Sequence, residues 1–337
     1  MIETETRNTN EAHRTAPWQM RLNSLTLGKP NRYGGLCLYP LLGEDLGAMP
    51  YLLLDAALAS GLLTITEQKG GGTVPELAVS NTSASRVLIL DGEELIGAKQ
   101  NRIVNTSVLV EAQTTLGLPV SCVEAGRWRQ DTAQFTAGAS QYNARGRQKK
   151  IAEVSDSLLL LGRPSASQSR VWSDIHGKLD RLAVSSPTAS LQDATVAYSA
   201  DLQSYGKALA NPLPGQVGAA FAMGGNLVGL DLFDQSRTLA ALLPKLVASY
   251  ALDALEEKTA DAPPPTPVVT AWLQTIREAT PEPHPAVGLG EDVRLSGLKL
   301  SGAALECGGI ALHLSAFQTI GFSRPMPRVA RPSQRVR

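Results

Sequence analysis

The chain has 337 residues, 43% of them hydrophobic and 18% charged, which is enough apolar material for a sizeable core and excludes disorder throughout. Thirty-one basic residues balance thirty-one acidic ones, so no global field draws the protein to nucleic acid or an anionic membrane, and any anion site must be local. There is no run of roughly 18 apolar residues and no apolar leader, so the chain reads as soluble and cytoplasmic; Cys37, Cys122 and Cys307, without CxxC spacing, argue against a disulfide framework or a cysteine zinc site.

Residues 1–18 and 321–337 read as disordered tails, the second carrying Arg324, Arg328, Arg331, Arg335 and Arg337 among prolines. Residues 51–60 predict a short helix, with Leu54 and Leu58 at i,i+4 and Gly61 as its left-handed terminator, followed by a strand over 62–67. The glycine-rich stretch 69–73 reads as a flexible loop that lacks P-loop lysine placement. Short β-rich runs follow over 76–79, 86–90, 103–110 and 118–123 at sandwich-like spacing. In the last run Leu118, Val120 and Cys122 share one face.

The period then becomes helical. Val171, Ile175, Leu179 and Leu182 form one stripe, and Tyr198, Leu202, Tyr205 and Leu209 another. Residues 216–233 read as a hairpin turning at Gly224-Gly225-Asn226. Ser236 is placed to cap a helix carrying Leu239, Leu242, Leu246 and Tyr250, and Pro244 predicts a kink or restart in it. Residues 262–267 and 281–285 read as proline-rich connectors, after which 293–300 and 309–317 read as closing strands. The fold class expected is α+β: a β-sandwich-like or strongly curved, mainly antiparallel sheet with a helical segment packed on it.

Polar chemistry is densest between residues 91 and 128, set between apolar runs that read as buried strands. Glu93, Glu94 and Glu124 are the candidate catalytic carboxylates. Glycosidic cleavage requires one protonated acid and one ionised partner, and burial near arginine separates the two pKa values. The plainer alternative is that Glu93 and Glu94 point to opposite faces of a strand, at least one of them solvated. Arg102 and Arg127 offer forked donors matched to phosphate oxygens, Trp128 a flat surface for a nucleobase, and Lys99 a further phosphate contact. Gln100, Asn101 and Asn105 either orient a ligand or satisfy backbone at a bulge.

The competing reading of this cluster is an internal network in which Arg102 or Arg127 neutralises Glu93 or Glu124. Asp91-Gly92 is a favourable turn pair. Cys122, in phase with Leu118 and Val120, reads as an inert buried thiol. His313 is a candidate acid, base or metal ligand. A divalent metal held by Asp91, Glu93, Glu124 and His313 is geometrically open, although no HxH, HExxH or DxDxDG spacing supports it.

Four fragments carry a resemblance: LDGEELIGAKQNR at 90–102, PVSCVEAGRW at 119–128, LDLFD at 230–234 and KLVASYALDA at 245–254, with an echo in LHLSAF at 312–317. They resemble the ARG and rhodanese-phosphatase-superfamily-associated protein domain family over about residues 22 to 255. That family takes its name from association with ADP-ribosylglycohydrolases and with rhodanese or phosphatase domains, and carries no established reaction. The resemblance implies a setting in ADP-ribose or NAD-derived nucleotide metabolism, a small nucleotide-like ligand, and association with ADP-ribose-processing enzymes. Two readings follow: a hydrolase or transferase using carboxylates with arginine-bound phosphate, or a non-catalytic nucleotide-binding or protein-interaction module. The implied organisation is a family domain over 19–257 (β-rich 62–128, helical 165–210, hairpin and helix 216–257), a proline-rich connector over 258–287 and closing strands over 288–320.

Overall fold

The computed structural model describes residues 15–47, 49–68, 75–257 and 261–319. Most of the N-terminal tail, the glycine loop at 69–73 and all of the basic C-terminal segment lie outside the described residues. In chain order the first half comprises α1 (Pro17–Asn23), β1 (Thr26–Leu27), β2 (Asn31–Tyr33), β3 (Leu36–Leu42), β4 (Tyr51–Leu53), α2 (Leu54–Ala59), β5 (Leu63–Glu67), β6 (Glu76–Asn81), β7 (Arg86–Ile89), β8 (Glu93–Gly97), β9 (Arg102–Val104), β10 (Val108–Val110), β11 (Thr114–Cys122) and β12 (Phe135–Gln141). Then follow α3 (Ala144–Leu161), α4 (Gln168–Arg181), α5 (Leu191–Ala197), α6 (Ser199–Leu209), β13 (Gln216–Met223), β14 (Asn226–Phe233), α7 (Ser236–Ala254), α8 (Thr266–Arg277), β15 (Thr280–Pro285), β16 (Glu291–Gly297), β17 (Leu300–Cys307) and β18 (Ile310–Gln318).

The fold is α+β, with a strongly curved, near-barrel antiparallel sheet and helices packed against it. Its largest sheet runs β1-β3-β13-β14-β18-β17-β16-β15, with β2 also on β3. A six-stranded sheet runs β12-β8-β9-β11-β6-β5, and β10-β7-β4 forms a third, in which β4 and β7 pair in parallel. Alternation sends the two faces of the large sheet into different cores. Tyr39, Leu230, Leu232 and Leu314 pack under α1 and α8 with Trp18, Leu22, Val269 and Ile276. Phe221, Phe233 and Phe317 face α3 and α7 with Ile151, Leu243 and Tyr250. A third core, around Leu54, Val79, Leu95, Val104 and Leu118, fills the six-stranded sheet beneath α2.

Local signals place many elements well. Gly61 (φ +68°) follows the short helix, now preceded by a three-residue strand, and Gly224 (φ +51°) and Gly225 (φ +75°) turn the β13–β14 hairpin. The run over 103–110 is not one strand but two, because Asn105, Thr106 and Ser107 turn inward to polar partners. The helix containing Pro244 continues past it as a single element, and Ser236 does not cap it with its own side chain. Its backbone N–H instead donates to Asp45 Oδ1 at 2.6 Å, a partner 191 positions away.

Three regions depart from the sequence reading. Helix α3 lies wholly ahead of the helical segment expected from residue 165, and its buried face includes Arg147 and Lys150 beside Ile151, Val154 and Leu158. Two cations on that face break the apolar stripe by which an amphipathic helix is read. The supposed connector over 258–287 contains α8, which starts with proline in its first turn where no donor is needed, and β15. In β15 Pro281, Pro283 and Pro285 alternate along an edge strand. Since proline has no N–H to offer, pairing to β16 draws donors only from Thr280, Glu282 and His284, and the outer edge is closed to further strands.

The third departure is the N-terminus. Trp18 is fully buried between the large sheet and α8, and its backbone N–H donates to Glu306 Oε1 at 2.7 Å. Trp18→Ala is therefore expected to lower the unfolding free energy by about 3–5 kcal/mol, read as a shift of the urea midpoint; a shift within error would return this segment to the status of a tail.

Candidate functional site

The polar centre of the molecule is built on α3. Arg147 reaches β14 and grips Asp231 through both terminal nitrogens, at 3.0 and 2.6 Å. One turn on, Lys150 Nζ donates to Asp91 Oδ1 and to the carbonyls of Val104 (2.8 Å) and Asn105 (3.0 Å). Gly92 (φ +82°) makes room for this approach, since a Cβ there would lie 2.9 Å from Arg147 Cδ. Asp231 also accepts from His313 Nε2 at 3.2 Å, since a carboxylate only accepts, and His313 Nδ1 is hydrogen-bonded to Ser107 Oγ at 2.8 Å. Ser107 Oγ in turn accepts the Asp91 N–H at 3.0 Å.

Burial governs the charges here. Desolvation alone would raise the Asp231 carboxyl, but Arg147 and His313 outweigh it and hold it well below the usual carboxylate range. Burial pushes the Lys150 ammonium down to about 8 against the pull of Asp91. Although Ser107, His313 and Asp231 stand in the order of a hydrolytic triad, Phe233 stacks on the imidazole at 5.0 Å and all three residues are buried. None of them lines any of the three clefts described below. The arrangement clamps α3, β14, β18 and the 91–107 segment together.

The sequence-predicted site residues divide around this centre. Glu93 and Glu94 do point to opposite faces of β8, but neither is solvated. Glu93 accepts from the Leu90 N–H at 2.9 Å and sits 3.4 Å from Lys245 Nζ; burial raises its pKa, with Lys245 opposing. Glu94 is fully enclosed, both carboxyl oxygens lack a hydrogen-bond partner among the described residues, and burial followed by repulsion from Glu124 lifts its pKa to about 8. Gly138 allows the approach, since a Cβ there would meet Glu94 Oε2 at 3.2 Å.

Glu124 and Arg127 form the internal pair of the competing reading. Arg127 Nη2 lies 2.7 Å from Glu124 Oε2, which also accepts from Asn101 N–H (3.1 Å), while Oε1 accepts from Thr188 Oγ1 (2.9 Å). Burial would raise the Glu124 carboxyl, but these donors together hold it below its ordinary value. Arg127 donates further to the Ala98 carbonyl at 2.8 Å and to Asn101 Oδ1 at 3.1 Å, so it fastens the 97–101 and 124–131 loops. Asn101 and Asn105 satisfy neighbouring groups, Asn105 through Ser121 Oγ at 2.9 Å.

Arg102 is fully buried on the Cys122 side of the sheet. It bonds Gln100 Oε1 at 3.1 Å and pairs with Glu67 at 3.5 Å, so its carboxylate partner is neither Glu93 nor Glu124. Cys122 is enclosed beside it, and burial raises its thiol to about 11. Only Lys99 and Trp128 reach outward: Lys99 Nζ lies 5.3 Å over the indole, which is 53% exposed. Among the described residues no three His, Cys, Asp or Glu side chains gather as a metal site. Asp91, Glu93, Glu124 and His313 are drawn apart by Lys150, Lys245, Arg127 and Asp231 respectively.

Two open clefts, of about 450 Å³ beside Gly126, His176 and Thr188 and about 520 Å³ beside Val184, Asp193 and Tyr198, are lined by none of the predicted residues. A third, of about 330 Å³, lies between α3, α4 and the β13–β14 hairpin, and it too excludes them. Sequence reasoning missed Arg147, Lys150, Lys178 and Asp253. The readable signal was Arg147 and Lys150 in phase with Val154 and Leu158, as cations occupying core positions of a helix.

A mainly antiparallel fold clamped by buried ion pairs, with a largely buried polar segment at 91–128 carried on β8 to β11 and the loops between them, defines an α+β domain of the kind that the fragments at 90–102 and 119–128 suggest. The chain belongs to the ARG and rhodanese-phosphatase-superfamily-associated protein domain family, whose model matches residues 24–317. That span extends beyond the fragments to include α8 and the closing strands. Comparison with curated proteins and with solved structures returned no match.

Two outcomes follow from the buried charges. Arg147→Met strands Asp231 and is expected to cost about 3–5 kcal/mol in chemical denaturation, part of which Arg147→Met with Asp231→Asn restores. Glu94 is neutral in the fold up to about pH 8 but ionises near 4.5 when unfolded. The unfolded chain thus binds fewer protons across that window, and stability falls as pH rises through it, by up to about 1.4 kcal/mol per unit. Glu94→Gln should remove that slope; a variant with the parental pH profile would mean the carboxyl is not held neutral.

Proposed function

We propose that the chain is a non-catalytic recognition module for a nucleotide-like ligand of ADP-ribose or NAD type, received on the surface of Lys99 and Trp128. The observation that carries this reading is the exposed indole with a lysine over it, presented by a loop that the Glu124–Arg127 pair holds from behind. An aromatic face stacks a base, and the adjacent cation meets phosphate. The family description, which names association with ARG and with the rhodanese-phosphatase superfamily, supports a role beside ADP-ribose-processing enzymes. A cytoplasmic setting accords with three free cysteines. Among the described residues no helix is long and apolar enough to cross a membrane.

The enzyme reading is second and has one observation in its favour. Glu94 is held neutral to about 8 while Glu124 stays ionised, the division of labour that glycosidic cleavage needs. Against it stands access, because Glu94 is enclosed and lines none of the clefts described.

Calorimetry with ADP-ribose, NAD and AMP, alongside a turnover assay on ADP-ribosyl substrates, separates the two. Binding without turnover is expected, and Trp128→Ala should weaken ADP-ribose binding by about tenfold, the loss of one stacked base. Turnover that disappears in Glu94→Gln and Glu124→Gln would favour the enzyme, whereas no binding of any of the three removes the nucleotide from both readings.

A further inference from the structure

The cleft of about 330 Å³ is at the lower end of the range of small-molecule sites, roughly 300–1,000 Å³. Four cations line it: Arg145 and Lys149 from α3, Lys178 and Arg181 from α4. They are held from below. Lys178, almost fully buried, bonds Asp253 Oδ1 at 2.6 Å and also reaches Glu256. Asp253 in addition accepts from Asn143 Nδ2 (2.9 Å) and the Arg145 N–H (2.8 Å), so the first turn of α3 is already capped by protein. These inner carboxylates face inward and anchor the floor.

The outer layer is different. Among the described residues Lys149 pairs with Asp174, at 2.5 Å, with side chains 45% and 29% exposed. Arg145 pairs with Glu257 at similar exposure and reaches the buried side chain of Glu256 at 3.5 Å with its other terminal nitrogen. Arg181 engages Glu256 through Nε alone, at 2.7 Å, and among the described residues its two terminal nitrogens have no protein partner. Water-screened pairs of this kind hold little net free energy, so a doubly charged group exchanges for Asp174 and Glu257 at small cost. Arg181 then presents a free pair of donors in the spacing of two phosphoryl oxygens, while Glu256 fixes the side chain from the other edge. Opposite the cations, Met223 and Val228 of the hairpin supply an apolar wall.

We infer that this cleft is a binding site for a small phosphate monoester, its phosphoryl group taken by Arg181 and Lys149 with Arg145 alongside, and its remaining body laid against Met223 and Val228. The pattern fits a phosphate dianion better than a carboxylate, which has one charge fewer to replace two acidic partners. It fits a monoester better than free phosphate because the apolar wall would otherwise face no ligand surface. This inference does not rest on the reading of Lys99 and Trp128, since the two places share no residue.

The test is calorimetry with AMP, inorganic phosphate and adenosine on the full chain and on Trp128→Ala, which removes the indole surface and leaves the cleft intact. In Trp128→Ala, where the cleft remains without the indole surface, AMP is expected to bind, phosphate more weakly, and adenosine at least about tenfold more weakly than AMP. In that background Lys149→Gln with Arg181→Gln, at side chains 45% and 54% exposed, should weaken AMP by about tenfold or more and flatten its dependence on salt. Equal binding of AMP and adenosine, parental affinity in the double variant, loss of AMP binding in Trp128→Ala, or no binding of AMP at millimolar concentration would each overturn the inference.

Discussion

Arg147 and Lys150 enter the interior of the protein as full charges, and the architecture around them is the set of groups needed to hold them there. A buried cation without partners costs far more than a domain's net stability, so Asp231, Asp91 and two backbone carbonyls must arrive together for α3 to pack. Those partners come from a central strand of the large sheet and from the segment joining β7 to β10. A helix placed by apolar contacts alone would tolerate slippage by a turn. One placed by two ion pairs at i and i+3 does not, and that fixes how the large sheet meets the smaller ones.

The same constraint explains why so much of the polar segment at 91–128 is inward. Asp91 is taken by Lys150, Glu93 by the neighbourhood of Lys245, Arg102 by Gln100 and Glu67, and Glu124 by Arg127. Each pairing satisfies a charge that sheet formation would otherwise strand. Among the described residues Glu94 has no hydrogen-bond partner for either carboxyl oxygen, and the fold accommodates it as the neutral acid. The polar density that marks the sequence as functional is thus largely the cost of joining three sheets around one helix. The charges that stay loose and wet are those at Lys99, over the exposed Trp128, and along the outer edges of α3 and α4.

Proline has two opposite meanings in this chain, and both depend on neighbours. In the first turn of α8 it occupies a position with no intrahelical donor to lose, and in β15 it blanks alternate amides on the outside of the sheet. The composition of this stretch is that of a linker. Its burial of Val269, Trp272, Leu273 and Ile276 is that of a structural layer, without which one face of the large sheet would meet water.

Periodicity and turn chemistry by themselves determined the α+β class, the strands around Leu77 and Leu118, the helices carrying Ile175 and Leu202, the hairpin at Gly224-Gly225 and the enclosed character of Cys122, because these follow from interactions between residues close along the chain. Tertiary structure alone decided that Trp18 is a core residue, that α3 buries cations, that β15 to β18 form four strands where two were readable, and that His313 reaches Ser107 across 206 positions. It also decided which carboxylate meets which cation. A charge carries no periodic signature of its partner: Arg102 lies opposite Leu95, on the face that Glu93 shares, yet its carboxylate partner is Glu67, brought within 3.5 Å by the packing of strands distant in sequence.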